Sequence, residues 1–186
     1  LEMASSLDQL KPEIEAHIRS IPDFPKKGID FRDIMPLMRQ PKLVGRLCQA
    51  VADHIQARGG VQAVAGLEAR GFLFGPQIAQ ILDVPFVPIR KAGKLPGECV
   101  AAVYEKEYGE DRIEVQKGAI SPGDRVLIID DLLATGGTLA AAVDLINKVE
   151  GVVAEAFVII ELAGLCGRAK LSKDVNIHAL LVYPGA

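Results

Sequence analysis

The chain reads as an α/β protein with a mostly parallel central sheet flanked by helices, and three observations carry that reading. Short runs rich in β-branched residues alternate with stretches of helical periodicity from about residue 61 to 183, the order that gives strand, crossover helix and strand. The run Val126-Leu127-Ile128-Ile129 is apolar without alternation, as a strand covered on both faces must be. Glycine-containing loops at Gly66–Gly71 and Ala134–Thr138 follow strands and lead into helices, so both open at the carboxyl edge where such sheets bind ligands.

The elements follow in order. Leu7, Leu10, Ile14, Ile18 and Ile21 recur at helical spacing behind Ser5 and Ser6, which predicts an amphipathic helix over residues 6–20. The segment Pro22 to Asp33 reads as irregular. A second helix is predicted from about Pro41, with Leu43, Leu47, Val51 and Ile55 on one face and a stop at Gly59-Gly60. VQAVAGL (61–67) is a strand, GFLFGPQIAQIL (71–82) a helix and PFVPI (85–89) a strand, while CVAAVY (99–104) and RIEVQ (112–116) pair around a loop. Val126–Ile129 then leads through Ala134-Thr135-Gly136-Gly137-Thr138 into a helix beginning near Thr138, and VVAEAFVIIEL (152–162) and IHALLVY (177–183) supply the last strands.

A length of 186 residues with 49% hydrophobic content suits one core, so a single domain over residues 1–186 is expected. The net charge of −3 gives no overall basic field and excludes nucleic acid as the expected partner. Cys48, Cys99 and Cys166 are odd in number and lack a CxxC pair, which reads as reduced thiols in packing roles. His17, His54 and His178 show no HExxH or paired spacing, so no metal site of protein ligands is expected. There is no signal-like apolar segment and no membrane-length apolar run, which predicts a soluble cytoplasmic protein with no membrane partner.

The chemistry concentrates in Val126–Ala142, VLIIDDLLATGGTLAAA. The glycines of Ala134–Thr138 let backbone amides approach a ligand, Thr135 and Thr138 add hydroxyl donors, and the following helix start favours an anion by roughly 0.3–1 kcal/mol. Asp130 and Asp131 would repel that anion as direct ligands, whereas carboxylates accept both O–H groups of a sugar diol. The alternative is structural: Asp130 ends the strand and Asp131 caps a turn. Neither GxxxxGK[ST] nor a GxGxxG after a strand occurs, which excludes the usual NTPase and dinucleotide loops and leaves a mononucleotide-like 5′-phosphate.

IIDDLLATGGT resembles the 5-phosphoribosyl-1-pyrophosphate (PRPP) motif of type I phosphoribosyltransferases, in the form with Asp-Asp and ATGGT found in adenine-specific members. The resemblance extends from about residue 19 to 183 through several motifs in order. It implies the type I phosphoribosyltransferase fold, with an N-terminal helix and base-binding hood (1–35), a core (36–186) and a flexible loop. PRPP would be held by Arg70, Lys94, Asp130, Asp131, Ala134, Thr135, Gly136, Gly137 and Thr138. Arg70, in Gly66-Leu67-Glu68-Ala69-Arg70-Gly71, and Lys94, in Arg90-Lys91-Ala92-Gly93-Lys94-Leu95-Pro96-Gly97, would face pyrophosphate, and basic neighbours of Lys94 would reach a partner subunit in a homodimer. By residue type alone, Arg70 reads equally as a solvated loop residue and the Lys94 segment as a hairpin flank.

Glu107, in Tyr104-Glu105-Lys106-Glu107-Tyr108-Gly109, matches the family's general acid/base facing the purine N7, with Glu105 as its near neighbour. Phe31 and Arg32, in Phe24-Pro25-Lys26-Lys27-Gly28-Ile29-Asp30-Phe31-Arg32-Asp33-Ile34, match the hood, and Leu162 would close the opposite face of adenine; Phe31 reads equally as a core aromatic. The implied reaction is phosphoribosyl transfer from PRPP to adenine, forming AMP and pyrophosphate, with Mg²⁺ held mainly through substrate oxygens and water. The alternatives are a PRPP-sensing module without catalysis and transfer to another base.

Overall fold

The computed structural model describes residues 6–105 and 109–184. Helix α1 (Leu7–Glu15) opens on a capping box in which Ser6 and Gln9 satisfy each other's backbone N–H, and it buries Leu7, Leu10 and Ile14. It stops five residues short of the predicted end. Ile18 and Ile21 continue the apolar spacing, but β1 (Arg19–Pro22) and β2 (Asp30–Asp33) pair as an antiparallel ribbon from Arg19↔Asp33 to Pro22↔Asp30. The segment expected to be irregular therefore contains half of a small sheet. A one-turn helix α2 (Met35–Met38) leads to α3 (Pro41–Ala57), which buries Leu43, Leu47, Val51 and Ile55 as the periodicity requires.

The main sheet holds β3 (Ala63–Leu67), β4 (Phe86–Lys91), β5 (Cys99–Glu105), β6 (Glu110–Gln116), β7 (Arg125–Leu133), β8 (Val152–Leu162) and β9 (Ile177–Tyr183), in the order β5-β6-β4-β3-β7-β8-β9. Strands β4, β3, β7, β8 and β9 are parallel, and the β5/β6 hairpin adds an antiparallel edge through β6. Helix α4 (Gly75–Leu82) links β3 to β4, and α5 (Gly137–Lys148) links β7 to β8. The helix predicted to begin at Gly71 is divided: a 3-10 turn, Arg70–Leu73, precedes α4, where Pro76 lacks an N–H that a first turn does not need.

Alternation along β7 explains the two-faced core. Leu127 and Ile129 pack with α1, α3 and α4 on one face, while Val126 and Ile128 pack with Leu139, Ala142, Leu145 and Ile146 of α5 on the other. Each fully buried side chain of this size contributes on the order of 1.5–3 kcal/mol. From β3 the chain winds outward to β4 on one side and later returns to β7 on the other. The crevice between the carboxyl ends of β3 and β7 is thus the switch point at which such sheets bind ligands.

Candidate active site

Two connections leave that switch point. The Glu68–Arg70 segment follows β3, with a cis peptide between Glu68 and Ala69, and turns back against β7. A Cβ on Gly71 would lie 2.5 Å from the carbonyl oxygen of Ile129, so only glycine allows this approach. It brings the Arg70 guanidinium to Asp131, with Nε 2.9 Å from Oδ2. The second connection, Ala134–Thr138, turns at Gly136 with φ of +80°, and a Cβ there would lie 2.1 Å from the carbonyl oxygen of Gly167. The phosphate-type loop therefore rests directly on the backbone that follows β8.

Between the connections lies a cavity of about 500 Å³, within the range of small-molecule sites. Arg70, Asp130, Asp131 and the whole of Ala134–Thr138 line it, so the structure brings these sequence-predicted residues together. Helix α5 begins at Gly137 without a side-chain cap, which leaves its first-turn amides for an anion. β7 runs through Asp130 and Asp131 to Leu133, so both acids are strand residues rather than the residues after a strand.

The acids are tightly coupled. The Asp131 N–H donates to Asp130 Oδ1 at 2.8 Å. Burial pushes the Asp130 carboxyl well above its ordinary pKa, and the Asp131 charge adds to the rise. Burial also raises Asp131, opposed by the Arg70 guanidinium. Two carboxylates with one paired cation form an oxygen-donor surface that would be relieved by hydroxyl donors or by a hard divalent cation, so the donor set fits Mg²⁺ carried by a phosphorylated sugar.

The other sequence-predicted residues fall around this centre. Phe31, on β2, meets Phe24 edge-on at 5.2 Å, and the Arg70 guanidinium lies 5.7 Å from its ring centre. Arg32 pairs with Asp30 at 2.8 Å and stacks over Tyr183 at 4.3 Å, with its Nε buried and without a partner. Leu162 is buried at the end of β8. None of the three lines the cavity; of them, Phe31 adjoins it through the Arg70 guanidinium. Lys94 is exposed and outside the lining, whereas Lys91 is part of it. Glu107 lies outside the described residues.

Glu68 and Lys91 also contribute to the cavity wall but carry no separate signal in the sequence. Glu68 Oε2 accepts hydrogen bonds from Arg90 Nε at 2.9 Å and from the Lys91 N–H at 3.1 Å. That carboxylate ties the β3 loop to the end of β4. Its position directly after the apolar run that ends at Leu67 is the hint available from the residues themselves.

Residues 37–180 match the family model for the phosphoribosyl transferase domain, the class that a parallel sheet, an uncapped Gly-Gly loop and a paired-acid strand end define together. The chain is 64% identical over 180 residues to the adenine phosphoribosyltransferase of Caenorhabditis elegans, a match covering 96% of this chain and 97% of the relative. Among solved structures, the adenine phosphoribosyltransferase of Saccharomyces cerevisiae, complexed with an imino-altritol bisphosphate and adenine, is similar with a TM-score of 0.88 at 45% identity, covering 92% of this chain and 98% of that one. The Trypanosoma brucei adenine phosphoribosyl transferase, in complex with AMP, pyrophosphate and ribose-5-phosphate, has a TM-score of 0.86 at 28% identity, covering 93% of this chain and 79% of that one. The chain belongs to the phosphoribosyltransferase family and, within it, to the adenine phosphoribosyltransferases.

Proposed function

We propose that this cavity transfers the 5-phosphoribosyl group of PRPP to N9 of adenine, releasing pyrophosphate and forming AMP in purine salvage. The observation that carries the reading is the placement of the Asp130–Asp131 pair beside the uncapped start of α5, with Arg70 across one cavity. The amides and hydroxyls of Ala134–Thr138 hold the 5′-phosphate, and Asp130 and Asp131 accept the 2′- and 3′-hydroxyls. Arg70 and Lys94 steady the pyrophosphate, Lys94 reaching it by rotation of its exposed side chain. Phe31 and Leu162 enclose the base, backbone groups near Arg32 read its amine, and Glu107 manages the proton at the purine.

Displacement at the anomeric carbon develops oxocarbenium character on the ribose. Carboxylates fixed beside the sugar stabilise that charge, and they are already oriented before the substrate arrives. The cavity oxygens of Asp130 and Asp131 suit Mg²⁺ that is otherwise held by substrate and water, and the ion, when bound, offsets charge on the leaving group. Asp131 exchanges its Arg70 partner for hydrogen bonds from the sugar while Arg70 takes up a phosphate, so both groups keep polar partners through binding.

The proposal includes a homodimer, on the strength of the Arg90–Gly97 resemblance, and a cytoplasmic location, in keeping with three free thiols. Among the described residues no helix is long and apolar enough to cross a membrane. The deciding experiment measures pyrophosphate release from PRPP and Mg²⁺ against a panel of bases. Adenine should give the largest kcat/KM. Release with guanine, hypoxanthine or orotate but not adenine would overturn the specificity, and release with no base would leave a PRPP sensor.

A further inference from the structure

We infer that His54, Glu155 and His178 form a binding site for one zinc-class transition-metal ion, clamping α3 to β8 and β9 at the sheet edge opposite the catalytic cavity. His54 sits near the end of α3, Glu155 near the start of β8 and His178 at the start of β9. These are the amino ends of the strands, whereas the cavity opens at the carboxyl ends. One ligand atom from each residue lies within 4.8 Å of the others, the one such grouping of three His, Cys, Asp or Glu side chains among the described residues.

The geometry is close to what a tetrahedral ion needs. Ligand bonds of about 2.0–2.2 Å place neighbouring donor atoms roughly 3.3–3.5 Å apart. His54 Nε2 lies 2.7 Å from Glu155 Oε1, so an ion would take the place of the proton now shared between them. Two imidazoles and a carboxylate leave a fourth position for water, and the two nitrogens select Zn²⁺ or Co²⁺ over the oxygen-seeking Mg²⁺ used by the reaction.

The surroundings hold the donors in place. Glu155 is 3% exposed, and Arg58 Nε engages its other oxygen at 3.2 Å, which orients Oε1 toward the histidines. The His178 ring stacks on Phe157 at 5.0 Å and 7°, and it meets the His54 ring at 4.7 Å. Arg58 and Lys11 are the cations that oppose a metal here. Arg58 is 55% exposed, so water screens its charge.

The test uses the full-length protein after treatment with a chelator. Titration with Co²⁺ should give visible d–d absorption saturating at one equivalent per chain, displaced by Zn²⁺ and unaffected by excess Mg²⁺. Zn²⁺ at a hundredfold excess over its Kd should raise Tm by roughly 5–10 °C. His178→Gln and His54→Ala should each abolish the absorption and the Tm rise, while Asp131→Asn in the catalytic cavity should retain both. His178→Gln should still form AMP, showing that loss of metal is not loss of fold. Absence of Co²⁺ absorption in the unaltered protein would overturn the inference, as would binding that survives both histidine substitutions or disappears with Asp131→Asn.

Discussion

Gly136→Ala tests whether the phosphate loop depends on its backbone contact with Gly167. The added Cβ would lie 2.1 Å from the Gly167 carbonyl oxygen, where real Cβ contacts begin at 3.0 Å. Both partners are backbone, so no flexible side chain can give way, and the loop must move by about 0.9 Å, a misplacement that costs on the order of 10²-fold in rate. The φ of +80° adds left-handed strain, about 1–2 kcal/mol of stability. Gly123→Ala separates the two effects, because Gly123 has φ of +84° but nothing within 4 Å of the position a Cβ would take. Steady-state kinetics with PRPP varied should show kcat/KM down about 10²-fold for Gly136→Ala and within about twofold of the parent for Gly123→Ala, while thermal melting falls for both. The contact argument fails if Gly136→Ala keeps its kcat/KM for PRPP.

Three further outcomes follow from the same geometry. The Asp130 pKa is raised on folding above its ordinary 3.8, so its ionised form is penalised in the folded state; Asp130→Asn should raise Tm at neutral pH, lose that advantage as pH falls toward about 4, and impair PRPP turnover. A lower Tm for that variant at neutral pH contradicts the sign. Glu107→Gln should depress turnover by about 10²-fold or more, well beyond Glu105→Gln, and equal effects would remove the acid/base role from Glu107. Burial pushes the Cys48 thiol up to about 12, so a thiol reagent at mildly alkaline pH should label exposed Cys166 and leave Cys48 until denaturant is added; three rapid equivalents in the native protein would refute this.

The parts of the fold legible in the sequence are those whose signals are local. The apolar run of β7, the Gly-Gly turn and the Ala-rich α5 each depend on neighbours a few residues away, and β8 and β9 emerge with the bounds that their apolar runs suggest. The β1/β2 ribbon is hidden in the sequence because β1 is mostly exposed, only one residue of the pair is fully buried, and side-chain bonds of Arg19 to Asp33 and Ser20 to Asp30 tie the two strands across the intervening turn. Asp130 and Asp131 look like strand terminators because a buried strand disfavours carboxylates; the compensating guanidinium of Arg70 arrives from another loop. Lys91 and Lys94 are indistinguishable by type, and the pairing of Lys91 with Ile113 in the edge hairpin decides which one lines the cavity. The His54–Glu155–His178 grouping has no motif spacing at all, since three separate elements supply it.

Function and stability therefore oppose each other most directly at the end of β7. Continuing the strand through Asp130 and Asp131 buries two carboxyls where apolar side chains would pack, and burial raises both pKa values. A turn-capping role would place such acids in water, at no cost of this kind. Under the proposed function, a ligand that brings hydroxyl donors and positive charge to the strand end while carrying phosphates to the amides of α5 offsets that burial. Arg70 stands in for part of that ligand by pairing with Asp131 and lying near Phe31. Its single guanidinium thus pairs with Asp131 at the end of β7 and adjoins Phe31 on β2, and under the proposed function a substrate that displaces it from Asp131 acts on both ends of the site at once.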